Sequence, residues 1–187
     1  MFCLPLAENY VEKVINMAVF KVKHKANPQF GEPMEKYKDD KAIANVSAYA
    51  MNQVKTPHDY VGGININDLS HAAEEMTAVA RYFGKESGVR LRHMILSFEA
   101  EERVSAYQAY FLAYQVAAYY GGEYQILFAV HEDGAAPHIH FVMNMVSLAT
   151  GLKYRGRRQD YYDFQAHMRR VLWEYAGIKM VMAVKDK

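Results

Sequence analysis

The stretch HEDGAAPHIHFVMN, residues 131–144, holds three of the chain's eight histidines. Side chains alternate between faces along a strand, so His138 and His140 point one way while Ile139 and Phe141 point the other. His131 closes the preceding apolar run. The six residues between His131 and His138 include Gly134 and Pro137, a composition suited to a hairpin connection. An antiparallel pairing across that connection brings His131 beside His138 and His140. Three neutral imidazoles converging on one point form a divalent-metal site with positions left open for other ligands. Asp133, in the connection, could orient one of the imidazoles through its second ring nitrogen.

Working outward from this hairpin, the strand before it covers residues 123–131 and the strand after it residues 138–147. Alternation in AVFKVKH predicts a half-buried strand over 18–24. Residues 25–38, with Pro28, Gly31 and Pro33, read as a loop. Residues 40–54 read as a helix capped by Asp40, with Ile43, Val46, Ala50 and Val54 on one apolar stripe. Pro57 and Gly62-Gly63 read as loop. A second helix follows over 69–84, a strand over 90–98 and a tyrosine-rich helix over 103–120. Thr150-Gly151 makes a turn, and a last helix over 159–176 leads into the strand IKMVMAV. The order β-α-α-β-α-β-β-α-β predicts an α+β fold: a mostly antiparallel central sheet of about five strands flanked by helices.

Composition narrows the classes. The chain has 187 residues, 51% of them apolar or aromatic, which suits one domain with a core. A net charge of +1 excludes a chain that is basic throughout, so any nucleic-acid surface must be local. The single cysteine, Cys3, excludes a disulfide framework and a cysteine-based metal cluster. No apolar run approaches the ~18 residues of a membrane span, and the N-terminus lacks the basic start of a signal peptide. Met17 opens MAVFKVKHK as a natural protein start would. The expected organisation is therefore an N-terminal extension, residues 1–16, and a single domain, residues 17–187.

The motifs together resemble a known family. HEDGAAPHIH is similar to the HUH signature, histidine–hydrophobic–histidine with a third histidine upstream. More narrowly it resembles the relaxase/mobilisation nucleases, whose pattern continues through a hydrophobic stretch to an asparagine, here Asn144. VSAYAMNQVKT resembles that family's Tyr-Ile-x-Asn-x-x-Lys-Thr segment, and RHMILSF its His-x-x-x-Ser-Phe strand followed by an acid, for which Glu99, Glu101 and Glu102 are candidates. The blocks match in order and span about residues 17–177.

The resemblance implies an HUH-nuclease-like sandwich and a DNA strand transferase. Such an enzyme nicks one strand at a transfer origin, holds the 5′ phosphate on a tyrosine and later rejoins the strand. It implies Tyr49 as nucleophile, and Tyr49 lies off the Ile43/Val46/Ala50 stripe, as a reactive rather than packed tyrosine would. Tyr37 and Tyr60 are the fallback nucleophiles. It also implies His93 as base or phosphate contact, with Asp133 beside it in the catalytic set. His131, His138 and His140 would ligate the metal. Mn or Mg is expected from abundance, while imidazoles also accept Zn, Ni or Co. The expected DNA contacts are Lys55, Thr56, Asn144, Lys153, Arg155, Arg157 and Arg158, the last four in KYRGRRQDYY with its interleaved tyrosines. Expected partners are single-stranded DNA at a transfer origin, an accessory DNA-binding protein and a coupling protein, in a bacterial cytoplasm and without membrane insertion. Replication initiators and single-strand transposases share the chemistry but place the tyrosine after the histidines. A non-catalytic metal- or DNA-binding relative and a water-using metal hydrolase are the readings from other classes.

Overall fold

A computed structural model describes residues 17–23, 34–38, 41–56 and 60–182. Among them, six strands form one sheet: β1 (Met17–Val22), β2 (Val61–Ile64), β3 (Leu91–Ser97), β4 (Ile126–His131), β5 (His138–Asn144) and β6 (Lys179–Met182), in the order β2-β4-β5-β3-β1-β6. All neighbours are antiparallel except β1 and β6. Four α-helices cover the sheet: α1 (Ala42–Ala50), α2 (Ala72–Tyr82), α3 (Ala106–Ala117) and α4 (Arg158–Ala176). The fold is α+β with a largely antiparallel open sheet. The extension 1–16 and the cap residue Asp40 lie outside the described residues.

The helices divide between the two faces because the central strands bury both. On one face Phe20, Met94, Leu96, Phe128, Ile139 and Phe141 meet Leu112 and Val116 of α3 and Phe164 and Leu172 of α4. On the other, Leu91, Leu127, Ala129 and Val142 meet Ile43, Val46 and Ala50 of α1 and Met76 of α2. The apolar stripe of α1 is therefore the packing stripe. Gly177 ends α4 in the left-handed region (φ 67°), which lets the Ile178 N–H return to the Leu172 carbonyl at 3.1 Å.

Two elements differ from the sequence reading. The helix over 40–54 stops at Ala50, and Val54 is 93% exposed. The Asn52 side chain accepts the Val54 N–H at 3.0 Å, and the Lys55 and Thr56 N–H groups both return to the Asn52 carbonyl. That local turn competes with the helix and wins. Gly62-Gly63, read as loop, belongs to the edge strand β2. Gly62 pairs with Phe128 of β4, and a Cβ on Gly62 would stand 2.5 Å from the Phe128 ring. The glycine is in the strand because the neighbouring ring occupies its side-chain space.

Gly62→Val should therefore displace Phe128 and cost about 1–3 kcal/mol, the usual penalty of overpacking. Urea denaturation of the variant beside the parent measures it. An unchanged midpoint would mean that the ring does not need that space.

Candidate functional site

Strand register builds the histidine cluster. His131 pairs with His138, and His138 with Ser97; one row along, Ala129 pairs with His140, and His140 with Ile95. Directly paired side chains share a face, so all three histidines stand on the α1 side of the sheet. Their ring centroids are 4.2 Å apart for His131–His140 and 5.1 Å for each of the other two pairs. One nitrogen from each ring falls within 4.8 Å of the others, close enough for the three to hold one metal ion.

The hydrogen bonds decide which nitrogens are on offer. His131 Nε2 donates to the Ala50 carbonyl at 2.8 Å, which leaves the lone pair on Nδ1. His140 Nδ1 lies 2.9 Å from His93 Nε2, leaving Nε2. Both remaining nitrogens are buried and have no hydrogen-bond partner among the described residues. Buried, unpartnered acceptors are costly unless something completes them, and a cation does so. Burial holds all three imidazoles below their ordinary range. For His140, with its histidine neighbours adding to the effect, the value falls to about 2. The cluster is thus neutral at pH 7, as metal ligands must be.

Tyr49 stands over this cluster. It is 45% exposed, and its ring centroid is 5.6 Å from that of His131 and 5.3 Å from that of His140. The Lys55 ammonium lies 5.3 Å from the Tyr49 ring centroid and 2.7 Å from a carboxylate oxygen of Asp133. That ion pair raises the Lys55 value and lowers that of Asp133. The Lys55 carbonyl also accepts the Glu132 N–H at 2.9 Å. The end of α1 is thereby strapped to the hairpin that carries the histidines. Tyr37 is fully buried, and Tyr60 packs against Tyr110 by the other core. Of the three tyrosines weighed as nucleophile, Tyr49 is the one beside the cluster.

The remaining site residues separate. His93 faces the cluster and touches His140, so it meets an imidazole rather than open space. Asp133 lies 3.7 Å from His138 Nε2, beyond hydrogen-bond length, and its close partner is Lys55. Thr56 is 1% exposed and donates its hydroxyl to the Ala50 carbonyl, so it offers DNA no surface. Asn144 is fully buried. It donates to the Met76 carbonyl and Gln125 Oε1 and accepts the Val146 N–H, so it braces the end of β5 instead of meeting DNA. Glu102 accepts the Glu99 N–H at 2.7 Å in a capping box.

The basic loop of Lys153, Arg155, Arg157 and Arg158 sits at the far end of the sheet. It is anchored through a bridge between Lys153 and Val146, just past β5. Six residues of strand separate His138 from that end, roughly 20 Å. The Lys153 ammonium is bound to the Ser87 and Val89 carbonyls. Arg158 leans on Tyr162. Sequence reasoning missed the Ala50 carbonyl, which has no side-chain signal, and the Lys55–Asp133 pair, whose members are distant in the chain.

Comparison with known proteins adds an independent line. The family described as Relaxase: MobA/VirD2-like, nuclease domain, matches residues 49–176. A protein named Protein rlx from Staphylococcus aureus is 28% identical over 131 residues, 70% of this chain and 40% of its own length. A second Protein rlx of that organism is 28% identical over 111 residues, 59% of this chain and 35% of its own. The chain thus spans about two fifths or less of these relatives. A solved structure titled "Molecular Basis of Vancomycin Resistance Transfer in Staphylococcus aureus" superposes with a TM-score of 0.48 at 14% identity. The superposition covers 69% of this chain and 76% of that one. The family match begins at the tyrosine over the cluster, takes in all three histidines and runs through α4; the chain belongs to the relaxase family, as a MobA/VirD2-like nuclease domain.

Proposed function

We propose that this chain is a metal-dependent DNA strand transferase that nicks and rejoins one strand at the transfer origin of a mobile element. Residues 17–187 would act as one nuclease domain. The observation that carries the reading is the position of the Tyr49 phenol: exposed, at the end of α1, beside two imidazoles that each keep a buried nitrogen unpartnered.

Tyr49 Oη, giving up its proton, would attack the scissile phosphorus, forming a phosphotyrosine ester to the 5′ end of the downstream piece. The bond from phosphorus to the 3′ oxygen breaks, and that oxygen leaves as the hydroxyl end of the other piece, taking up a proton. Rejoining is the reverse. One phosphodiester is exchanged for another, so no nucleotide triphosphate is needed. A phenol is a weak nucleophile at neutral pH and needs a cation nearby. The Lys55 ammonium fills that role, with Asp133 holding it over the ring. His131, His138 and His140 would hold the metal, Mn or Mg, which when bound supplies Lewis-acid polarisation of the phosphoryl oxygens. His93 acts as a positioning residue: it accepts the Nδ1 proton of His140 and so keeps the Nε2 lone pair directed inward. Arg155, Arg157 and Arg158 would meet the DNA far from the break.

Single-stranded DNA is the substrate, and accessory DNA-binding and coupling proteins complete the assembly, in the bacterial cytoplasm where such DNA resides. Among the described residues no helix is long and apolar enough to cross a membrane.

Calorimetric titration of Mn²⁺ into metal-stripped protein should give tight binding, weakened at least tenfold in His138→Ala; equal binding by both would remove the cluster from the mechanism. With a random single-stranded pool and Mn²⁺, the parent should form a detergent-stable protein–DNA adduct. Tyr49→Phe should form none while keeping its Mn²⁺ affinity. Cleavage without any adduct in the parent would instead indicate hydrolysis by water.

Metal-free protein should also lose stability as the pH falls. The unfolded chain takes up protons near 6.5 that His131, His138 and His140 refuse when folded. Stability is therefore full above about pH 6.5 and declines below it. Melting temperatures at pH 7.5, 6.5 and 5.5 measure this, and a flat profile would show that the imidazoles protonate freely in the fold.

A further inference from the structure

A cleft of about 440 Å³ lies between residues 87–89, which lead into β3, and residues 153–156, which follow β5. One side chain joins its two walls: the Lys153 ammonium donates to the Ser87 and Val89 carbonyls. Backbone bonds fix the same approach. The Tyr154 N–H donates to the Met145 carbonyl at 2.7 Å, and the Met145 N–H to the Arg90 carbonyl at 3.3 Å.

Arg92 lines this cleft and is 6% exposed. Its Nη1 donates to the Tyr120 and Tyr154 hydroxyls at 2.9 and 2.7 Å. A guanidinium carries five N–H donors in a planar fork. The Nε and Nη2 edge of Arg92 therefore remains for another acceptor. Arg155, exposed, lines the same cleft, and no carboxylate lines it. Asp160 is occupied by the hydroxyls of Tyr119, Tyr120 and Tyr154. Cations crowd here: burial first, then the charges of Arg90 and Lys85, holds Lys153 below its ordinary value. Positive groups gathered without a matching acid attract an anion. Val89, Met145 and the Tyr154 ring add apolar wall beside them.

We propose that this cleft binds a small solute ending in a phosphate monoester, with the Arg92 Nε/Nη2 edge and the Arg155 guanidinium on the phosphate and Met145 and Tyr154 against its organic body. A monoester has its second pKa near 6, so it is a dianion at pH 7.5 and answers two guanidinium groups where a carboxylate answers one. The fork takes two of its oxygens side by side. A guanidinium this buried is reached by a terminal phosphate more readily than by one carrying a sugar on both sides, which favours a monoester over the diester of a continuous strand. The volume suits a body the size of a nucleoside. Arg92 and His93 alternate on β3, so this site and the histidine cluster lie on opposite faces. The inference does not rest on the strand-transferase reading.

Calorimetric titration of AMP into metal-stripped protein at pH 7.5, with adenosine as the uncharged control, tests it. AMP should bind, and adenosine at least tenfold more weakly. Arg92→Lys, which keeps the charge and loses the fork, should weaken AMP about tenfold, the worth of a charged hydrogen bond, while Mn²⁺ affinity stays at the parent value. If that variant does not fold, Arg155→Gln, a change at an exposed side chain, should still weaken AMP about fivefold. A trinucleotide with and without a 5′ phosphate separates the sources. Displacement of AMP by the phosphorylated form alone would extend the ligand to strand ends, and displacement by neither would confine it to free solutes. Equal displacement by both would assign the cleft to backbone diesters and overturn the proposal. So would a parent that binds no AMP, or AMP affinities in the variants equal to the parent's.

Discussion

The site depends on one hydrogen bond, from His131 Nε2 to the Ala50 carbonyl at 2.8 Å. It fixes the tautomer of a candidate metal ligand and, at the same time, fixes the end of the helix that carries Tyr49. A carbonyl at a helix C-terminus lacks an intrahelical partner and must find one. Here the partners are an imidazole and the Thr56 hydroxyl. The turn after α1 then places Lys55 where its carbonyl meets the Glu132 N–H and its ammonium meets Asp133. Two segments about eighty residues apart in sequence therefore close on each other at several points. The phenol's position over the histidines is set by the fold rather than by whatever the cluster binds. Preorganisation of this kind spares the reacting groups the entropy of finding each other.

Neutrality is the second constraint. A cluster of imidazoles next to a free carboxylate would hold protons and lose its lone pairs to them. Asp133 is the carboxylate close to the cluster, and its charge is answered by Lys55 at 2.7 Å while His138 lies 3.7 Å away. Burial does the rest, holding His131, His138 and His140 below their ordinary range. The same ammonium that quiets Asp133 lies against the Tyr49 ring. One lysine thus touches both the carboxylate nearest the cluster and the ring of Tyr49, the proposed nucleophile.

What could be read beforehand follows from periodicity. His138 and His140 share a face because strands alternate, and His131 joins them because a short connection forces antiparallel pairing. Tyr49 was legible as off the α1 stripe because helical spacing is equally regular. Illegible features depend on contacts distant in the chain. Gly62 belongs to a strand only because Phe128 fills its side-chain space, and nothing local to Gly62-Gly63 says so. Asn144 and Thr56 match motif positions, yet their amide and hydroxyl are spent on carbonyls in the interior. The tyrosine richness also resolves only in three dimensions. Arg92 donates to the Tyr120 and Tyr154 hydroxyls, and both tyrosines donate to Asp160.

That buried network explains how the two ends of the sheet differ. Arg92 precedes His93 on β3 and so points to the opposite face, where Tyr120, Tyr154 and Phe164 surround its guanidinium. A buried cation is tolerable there because hydroxyls and aromatic faces solvate it and Asp160 balances it through them. Arg92, Tyr120, Tyr154 and Asp160 satisfy one another on that side. On the α1 face, two imidazole nitrogens are left unsatisfied a short distance from an exposed phenol. β3 thus carries a satisfied network at Arg92 on one side and, at His93 on the other, borders two imidazoles that each keep a nitrogen unpartnered among the described residues, which is the side the proposed function uses.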